Sequence, residues 1–176
     1  EADAQQTGDI NYYWTNLSIT SSGGVTFSPG DTAHIEATLA HEGDPPMYLF
    51  NNMAELTFPN GHVEQKAFNN VGTSTGGTVT FTWDKVIPTD LNPAGQYTVT
   101  FTADTGNDFT ETNESDNVIT GTFTVAAPPD TTSPTVNIPS DMSVSASSSS
   151  GETVTFTVTA SDDTAVTSGP SCSPAS

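Results

Sequence analysis

The sequence predicts an all-β protein built from antiparallel β-sandwich domains, and three observations lead to this prediction. Apolar and polar residues alternate with a period of two in segment after segment. The apolar positions are rich in β-branched and aromatic residues, and Gly, Pro, Asn and Asp separate the segments. Helical periodicity is nearly absent, so packed sheets explain the pattern better than a fold that contains helices.

Two segments show the alternation most clearly. Val79, Phe81 and Trp83 alternate with threonines, so one face of that strand packs inward and the other meets water. Asn60-Gly61 separates two further strands and predicts a tight hairpin turn, because this pair tolerates positive φ values. The strands predicted for the first part of the chain span residues 12–20, 33–40, 47–50, 54–58, 63–68, 78–84, 96–103 and 118–125.

The composition divides the chain into four parts. They are an N-terminal extension (1–11), a β-sandwich (12–125), a Pro-rich linker (126–134) and a second β unit (135–176). The strands predicted in the second unit span residues 135–139, 142–146, 153–160 and 165–172. A sandwich needs about seven strands, so the second unit is predicted to be incomplete, with edges that another chain or further sequence pairs.

The charge balance excludes several classes of partner. Lys66 and Lys85 are the two basic residues beside 21 acidic ones, which gives a formal net charge of −19. Such a surface repels phosphate backbones and anionic lipids, so binding of nucleic acid is not expected and cations are the natural partners. Membrane insertion is not expected either, because no apolar run approaches the roughly 20 residues that span a bilayer. Cys172 is the single cysteine and cannot form an internal disulfide.

An acidic loop before the last strand of the sandwich is the first candidate for a metal site. Hard cations such as Ca²⁺ take six to eight oxygen ligands, and this loop supplies carboxylates densely. The candidate ligands are Asp104, Asp108, Glu111, Glu114 and Asp116. An acidic turn that holds no ion is the alternative.

A second candidate metal site combines the linker with the second unit. Asp130, Asp162 and Asp163 are predicted to form an interdomain calcium clamp. A solvated acidic surface is the alternative for these residues.

Three further features point to contacts outside the chain. Asn16 and Asn113 begin Asn-X-Ser sequons, which permit N-glycosylation in an exported protein. Tyr12, Tyr13 and Trp14 are consecutive in a strand, so alternation turns at least one of them away from the core. An outward-facing ring there is predicted to contact a glycan or a neighbouring subunit, and a ring covered by a loop is the alternative.

The first unit resembles the CARDB family of cell-adhesion-related domains, which have immunoglobulin-like or fibronectin type III-like folds. The resemblance lies in FSPGDT at residues 27–32, PAGQYTV at 93–99 and NESDNV at 113–118, and it covers about residues 12–125. It implies an extracellular structural or adhesive role without an active site.

The second unit resembles the start of a hyalin repeat (HYR) domain, which is also immunoglobulin-like. The matching segments are 130–136, 138–144, 154–162 and 172–176. This resemblance implies further strands and a second cysteine, with which the first usually pairs in that family.

These observations predict a non-catalytic structural or adhesion protein of a bacterial or archaeal cell surface. No nucleophile, base and anion-stabilising group occur with diagnostic spacing, so no catalytic residues are expected. The chain is expected to be a subunit or stalk segment of a filament, pilus-like fibre or surface layer. Its expected partners are other copies, joined by strand complementation, or further immunoglobulin-like domains of a longer protein. The alternative is a carbohydrate- or ligand-binding module of a larger secreted enzyme.

Overall fold

Short β-strands account for nearly all regular structure in the computed structural model of the protein, which describes residues 10–43, 49–74, 76–90 and 93–171. The strands are β1 (Asn11–Ser21), β2 (Thr32–Glu42), β3 (Phe50–Thr57), β4 (Val63–Val71), β5 (Thr78–Val86), β6 (Gly95–Thr102), β7 (Val118–Val125), β8 (Thr135–Asn137) and β9 (Thr159–Ser161), with a 3₁₀ helix at Glu114–Asp116. None of the described residues forms a helix of the length and apolarity that a bilayer crossing requires. The chain divides into two units between Pro128 and Pro129.

The first unit is an antiparallel β-sandwich, as the sequence predicts. One sheet has the strand order β1-β2-β5 and the other has the order β4-β3-β6-β7. A core of aromatic and aliphatic side chains from both sheets lies between them. The Trp14 ring contacts side chains of both sheets, because its centroid lies 5.5 Å from that of Phe81 on β5 and 5.3 Å from that of Phe101 on β6.

The hairpin between β3 and β4 contains the predicted turn. Gly61 has a φ of 83°, in the left-handed region that glycine adopts without strain. The Gly61 N–H donates to the Phe58 carbonyl at 2.9 Å, and the Phe58 N–H donates to the His62 carbonyl at 2.8 Å. The Asn60 side chain accepts the His62 N–H at 2.9 Å. Together these hydrogen bonds fix the register of the hairpin.

The two strands predicted at 47–50 and 54–58 form one strand in the described part of the chain, β3, which begins at Phe50. Residues 44–48 lie outside the described residues. The gap between the two predicted strands was placed at polar residues. One of them, Asn52, points inward, and its Nδ2 donates to the Val71 carbonyl at 3.0 Å. A buried amide with a partner is tolerated in a strand, and the pairing of β3 with β4 shifts register beside it.

Tyr97 on β6 lies in the core of the sandwich. Tyr97 is buried and its ring stacks on Phe123 at 4.9 Å. Its hydroxyl has no hydrogen-bond partner within the described ranges. Burial raises the pKa of the Tyr97 hydroxyl, and the side chain contributes through packing.

The second unit contains much less paired strand than the sequence predicts. β8 and β9 pair over three residues each, Thr135 with Ser161 through Asn137 with Thr159. The predicted strands at 142–146 and 165–171 are absent, and of the strand predicted at 153–160 the structure has only its last two residues. A strand needs a neighbouring strand for its backbone hydrogen bonds, and the described part of this unit supplies none for these segments. Cys172 lies outside the described residues.

Candidate functional site

The acidic loop between β6 and β7 is organised by its own carboxylates. Asp104 has a φ of 42°, a left-handed conformation that aspartate tolerates better than most residues. Its carboxylate accepts the N–H groups of Asp108 at 2.9 Å and of Phe109 at 3.0 Å. Burial raises the pKa of Asp104, against the effect of these two hydrogen bonds. Asp104 therefore stabilises a tight turn through these two hydrogen bonds.

Glu111 ties the loop to β1. One oxygen of its carboxylate accepts the Tyr12 N–H and the other accepts Asn117 Nδ2 at 2.9 Å. The side chain is buried, and burial raises the pKa of Glu111 to about 7, with smaller increases from the negative charges of Glu114 and Asp104. A carboxyl group that titrates near neutral pH thus lies where the loop contacts β1.

Two further carboxylates of the loop also accept hydrogen bonds from the protein. Glu114 accepts the Glu111 N–H at 2.9 Å and Asn117 Nδ2 at 3.1 Å. Asp116 accepts Asn11 Nδ2 at 3.1 Å and Asn113 Nδ2 at 2.8 Å.

The structure does not bring the five predicted calcium ligands of the loop around one point. Asp104, Glu111, Glu114 and Asp116 each accept hydrogen bonds from N–H donors, as described above. No three acidic residues of the loop place their oxygens within 4.8 Å of one another, in a search that covered the described residues. In the structure these carboxylates hold the loop through hydrogen bonds, and calcium binding by the loop stays a prediction.

The second predicted cluster, Asp130, Asp162 and Asp163, is brought together. One oxygen from each carboxylate lies within 4.8 Å of the others. The Thr132 hydroxyl donates to Asp163 at 3.1 Å, and the Thr132 N–H donates to Asp130 at 2.9 Å. All three aspartates belong to the second unit, so the prediction that this site lies between domains is corrected.

The electrostatics of this cluster follow from the close approach of two carboxylates. A hydrogen bond between Asp162 and Asp163 raises the pKa of Asp162 and lowers that of Asp163. Thr132 lowers the pKa of Asp163 further. A shallow, open pocket of about 240 Å³ lies beside the two aspartates. Three carboxylate oxygens at this spacing suit a hard cation, and calcium binding here stays a prediction.

The three consecutive aromatic residues of β1 lie in different environments. Tyr12 and Trp14 are buried in the core, so the prediction that they contact an outside partner is corrected. Strand alternation places both on the inner face, and the Trp14 Nε1 donates to the Asn117 carbonyl at 2.9 Å. Tyr13 is half-buried on the other face, and its hydroxyl donates to Glu42 at 2.8 Å. These residues do not form a flat aromatic platform of the kind that sugars stack on.

The two sequon asparagines are both exposed. The Asn113 side chain begins the 3₁₀ helix, where it accepts the Ser115 N–H at 3.1 Å while donating to Asp116. Glycosylation of Asn113 would have to break the bond to Asp116, whereas Asn16 lies in the middle of β1. Modification of either residue stays a prediction.

A groove that the sequence analysis did not identify runs between β1 and β7, the outer strands of the two sheets on one side of the sandwich. This β1/β7 groove is open, has a volume of about 390 Å³, and is lined by Thr15, Asn16, Leu17, Ile19, Ile119, Thr120, Gly121 and Thr122. β1 and β7 contain no charged residue. The missing charge on two strands was visible in the sequence, but the sequence did not reveal that these strands lie side by side.

The opposite side of the sandwich, where β4 and β5 meet, carries charges from both strands. Lys85 Nζ lies 2.6 Å from Glu64 Oε2, and Lys66 Nζ donates to the Thr82 carbonyl at 2.7 Å. Both basic residues of the chain therefore lie on this β4/β5 side. Charged residues on outer strands hinder pairing with another chain, and lysine is especially common in this role.

Comparison with known proteins gives structural similarities of low identity. No protein-family model and no curated protein sequence matches the chain. A crystal structure of the CARDB domain of the PF1109 protein from Pyrococcus furiosus, in complex with di-metal ions, has a TM-score of 0.48 at 19% identity over 72% of this chain and 95% of that one. β-Glucosidase 3B from Thermotoga neapolitana in complex with glucose has a TM-score of 0.44 at 16% identity over 66% of this chain.

The chain spans 16% of the length of that β-glucosidase, and the same share of a β-glucosidase involved in saponin metabolism from intestinal bacteria, at 21% identity and a TM-score of 0.46. At such identities and TM-scores, none of these similarities assigns a function to the chain. The hyalin-repeat resemblance of the second unit is not supported. The second unit has two paired strands of three residues in its described part, so it lacks the sheets of such a domain.

Proposed function

We propose that the chain is a non-catalytic structural module of an extracellular assembly, a subunit or stalk segment whose copies associate through their β-strands. The observation that carries this proposal is the strand-forming sequence left unpaired in the second unit. Residues 153–158 read TVTFTV, yet the structure assigns them to no strand and their backbone groups have no ladder partner within the described residues. Unpaired backbone donors and acceptors favour pairing with a strand from outside.

The first unit supports a structural role. Its core is filled by aromatic and aliphatic side chains from both sheets. The acidic residues of its loop brace turns through hydrogen bonds to backbone N–H groups. A negative surface on every copy keeps an array soluble and restricts association to patches without charge.

The extracellular location is part of the same proposal. A surface rich in Ser, Thr, Asn and carboxylates, with two exposed sequon asparagines, is compatible with secretion. The alternative, a sugar-binding module of a secreted enzyme, is less well supported, because Tyr12 and Trp14 are buried and do not form a binding platform.

Sedimentation velocity of the purified chain over a wide concentration range, combined with negative-stain microscopy, tests the proposal. We expect the sedimentation coefficient to rise with concentration and elongated particles to appear on the grids. A parallel series with a chelator shows whether divalent cations contribute. A chain that sediments as a single monomeric species at every concentration, with and without calcium, would contradict the proposal.

A further inference from the structure

The free edge of β7 is bounded at both ends by contacts from the rest of the sandwich. At one end the Trp14 indole donates to the Asn117 carbonyl at 2.9 Å. At the other end Phe27 forms a parallel bridge with Val125, and the Ala126 N–H donates to the Phe27 carbonyl at 2.9 Å. Between these contacts β7 pairs with β6 on one side, and no described strand pairs with its other side.

The β1/β7 groove lies along this free edge and has an apolar floor. Leu17, Ile19 and Ile119 are partly buried and pack against the core. Gly121 lies between them, and a Cβ at this position would stand 2.8 Å from Leu17 Cδ2. The absence of a side chain at residue 121 therefore keeps the groove open, beside a backbone edge of about seven residues, 118–124.

The acidity of the chain restricts what can enter this groove. Each copy carries a net charge of −19, so a strand with carboxylates meets repulsion from the surface around the groove. The groove itself offers no charge to compensate. An entering strand is therefore expected to lack charge, to alternate apolar and polar residues, and to have free backbone groups of its own.

The segment 153–158 of the second unit meets all three requirements. It contains no charged residue, and Val154, Phe156 and Val158 alternate with threonines. Val154 is 38% exposed and Phe156 is 42% exposed, although both are large apolar residues in a strand-forming sequence. The ladder between β8 and β9 begins only at Thr159, so the six residues before it are unpaired within the described part of the chain.

We infer that residues 153–158 of one copy add as a strand to the free edge of β7 in another copy, with Val154 and Phe156 in the β1/β7 groove against Leu17 and Ile119. This inference rests on the proposed self-association and names the two surfaces that meet. Because the donor strand and the acceptor groove lie in different parts of the chain, the contact is head-to-tail and propagates from copy to copy. Asn16 lines the groove, so a glycan on Asn16 and strand binding exclude each other.

Two double variants of the full chain separate the donor from the acceptor. Val154→Asp/Phe156→Asp places carboxylates on the donor strand, and its matched control is Val144→Asp/Val166→Asp, which charges exposed residues elsewhere in the same unit. Thr120→Asp/Thr122→Asp places carboxylates at exposed positions beside the groove, and its matched control is Gln65→Asp/Asn69→Asp on β4. Circular dichroism checks that each variant retains the fold.

Sedimentation velocity on these variants has a distinctive expected pattern. Each of the two test variants weakens self-association at least about tenfold, while both controls associate like the original chain. Carboxylates on the donor strand are costly to desolvate in the groove, and carboxylates at residues 120 and 122 repel the acidic second copy at the edge where its strand pairs. A mixture of the two test variants forms one-to-one dimers and nothing larger, since one copy retains a working groove and the other a working donor strand.

The outcomes distinguish this inference from the proposed function. If the original chain associates and Val154→Asp/Phe156→Asp or Thr120→Asp/Thr122→Asp associates equally well, the proposed function stands and the strand and groove named here are wrong. If the mixture of test variants stays monomeric, the head-to-tail contact is also wrong. If the original chain is monomeric at every concentration, both proposals fail.

Discussion

The two sides of the first unit's sandwich close in different ways. The β4/β5 side is closed by charged side chains, with Lys85 2.6 Å from Glu64 and Lys66 bonded to the Thr82 carbonyl at 2.7 Å. The β1/β7 side is closed at one end by Trp14 and Glu111 and is open along the uncharged groove. The two basic residues of this acidic chain therefore lie on one side of the sandwich, and the other side has an uncharged free edge.

Trp14 is expected to contribute the most stability at the closed end of the β1/β7 side. Trp14→Ala removes a ring that packs against Phe81 and Phe101 and leaves the Asn117 carbonyl without its donor. We expect the free energy of unfolding to fall by about 3–5 kcal/mol, as for other large aromatic residues in cores. Urea unfolding measures the loss, with Val25→Ala, at a fully exposed residue, as the control. A loss below about 1 kcal/mol would contradict the contribution to core stability that we assign to Trp14.

Glu111 is expected to make the same end of the sandwich sensitive to pH. Burial raises its pKa from the ordinary glutamate value of 4.5 to about 7 in the folded chain, so the fold favours the protonated form. The resulting stability is fully present below pH 4.5 and is lost as the pH rises through 7. A shift of this size corresponds to about 3 kcal/mol at most.

Urea unfolding at intervals from pH 4.5 to pH 8 tests this prediction. We expect Glu111→Gln to remove most of the decline in stability with rising pH, whereas Glu55→Gln, on β3, leaves it in place. Asp104 also has a pKa raised by burial and contributes in the same direction. A stability that rises between pH 5 and 8 would contradict the assignment.

Gly121 tests the open part of the β1/β7 side. Gly121→Ala puts a methyl group 2.8 Å from Leu17 Cδ2 and 3.3 Å from Ile19 Cδ1, so both side chains must move. We expect a loss of about 1–2 kcal/mol in stability, together with weaker self-association, because the methyl group fills the groove. Gly169→Ala, where no atom lies within 4 Å, is the control. Unchanged association would argue against the groove as an acceptor.

The ion pair on the β4/β5 side is expected to contribute least to stability. Lys85 and Glu64 side chains are 23% and 33% exposed, so water and salt screen their attraction. In a double-mutant cycle of Lys85→Met and Glu64→Gln, we expect a coupling energy of up to about 1 kcal/mol that decreases with added salt. A coupling above about 2 kcal/mol at physiological salt would show that this side is closed more firmly than its exposure indicates.

Sequence periodicity predicted most strands of the first unit, because a strand with one buried face alternates apolar and polar residues along its own sequence. Val79, Phe81 and Trp83 point to the core, as their alternation with threonine indicated. Asn52 did not follow this rule, since the Val71 carbonyl that accepts its amide is 19 residues away in the chain. The gap between strands that was predicted around Asn52 was based on composition alone.

The candidate sites were harder to predict, because they depend on which residues tertiary structure brings together. The density of carboxylates in the acidic loop was visible in the sequence, but the N–H groups that donate to them were not. Asp130, Asp162 and Asp163 lie close together, although Asp162 is 32 positions after Asp130 in the chain. The β1/β7 groove required the strand order, which alternation does not encode. The segment 153–158 has strand periodicity but no partner, and periodicity alone cannot tell a paired strand from an unpaired one.

Hydrogen exchange of the full chain at low and high protein concentration compares the two sides in one measurement. If strands from other copies pair with β7, amides in residues 118–124 and 153–158 exchange more slowly at high concentration, while amides of the outer strand β4 exchange at the same rate at both. Slowing that appears on β4 instead, or exchange that is independent of concentration in β7 and in residues 153–158, would contradict the account.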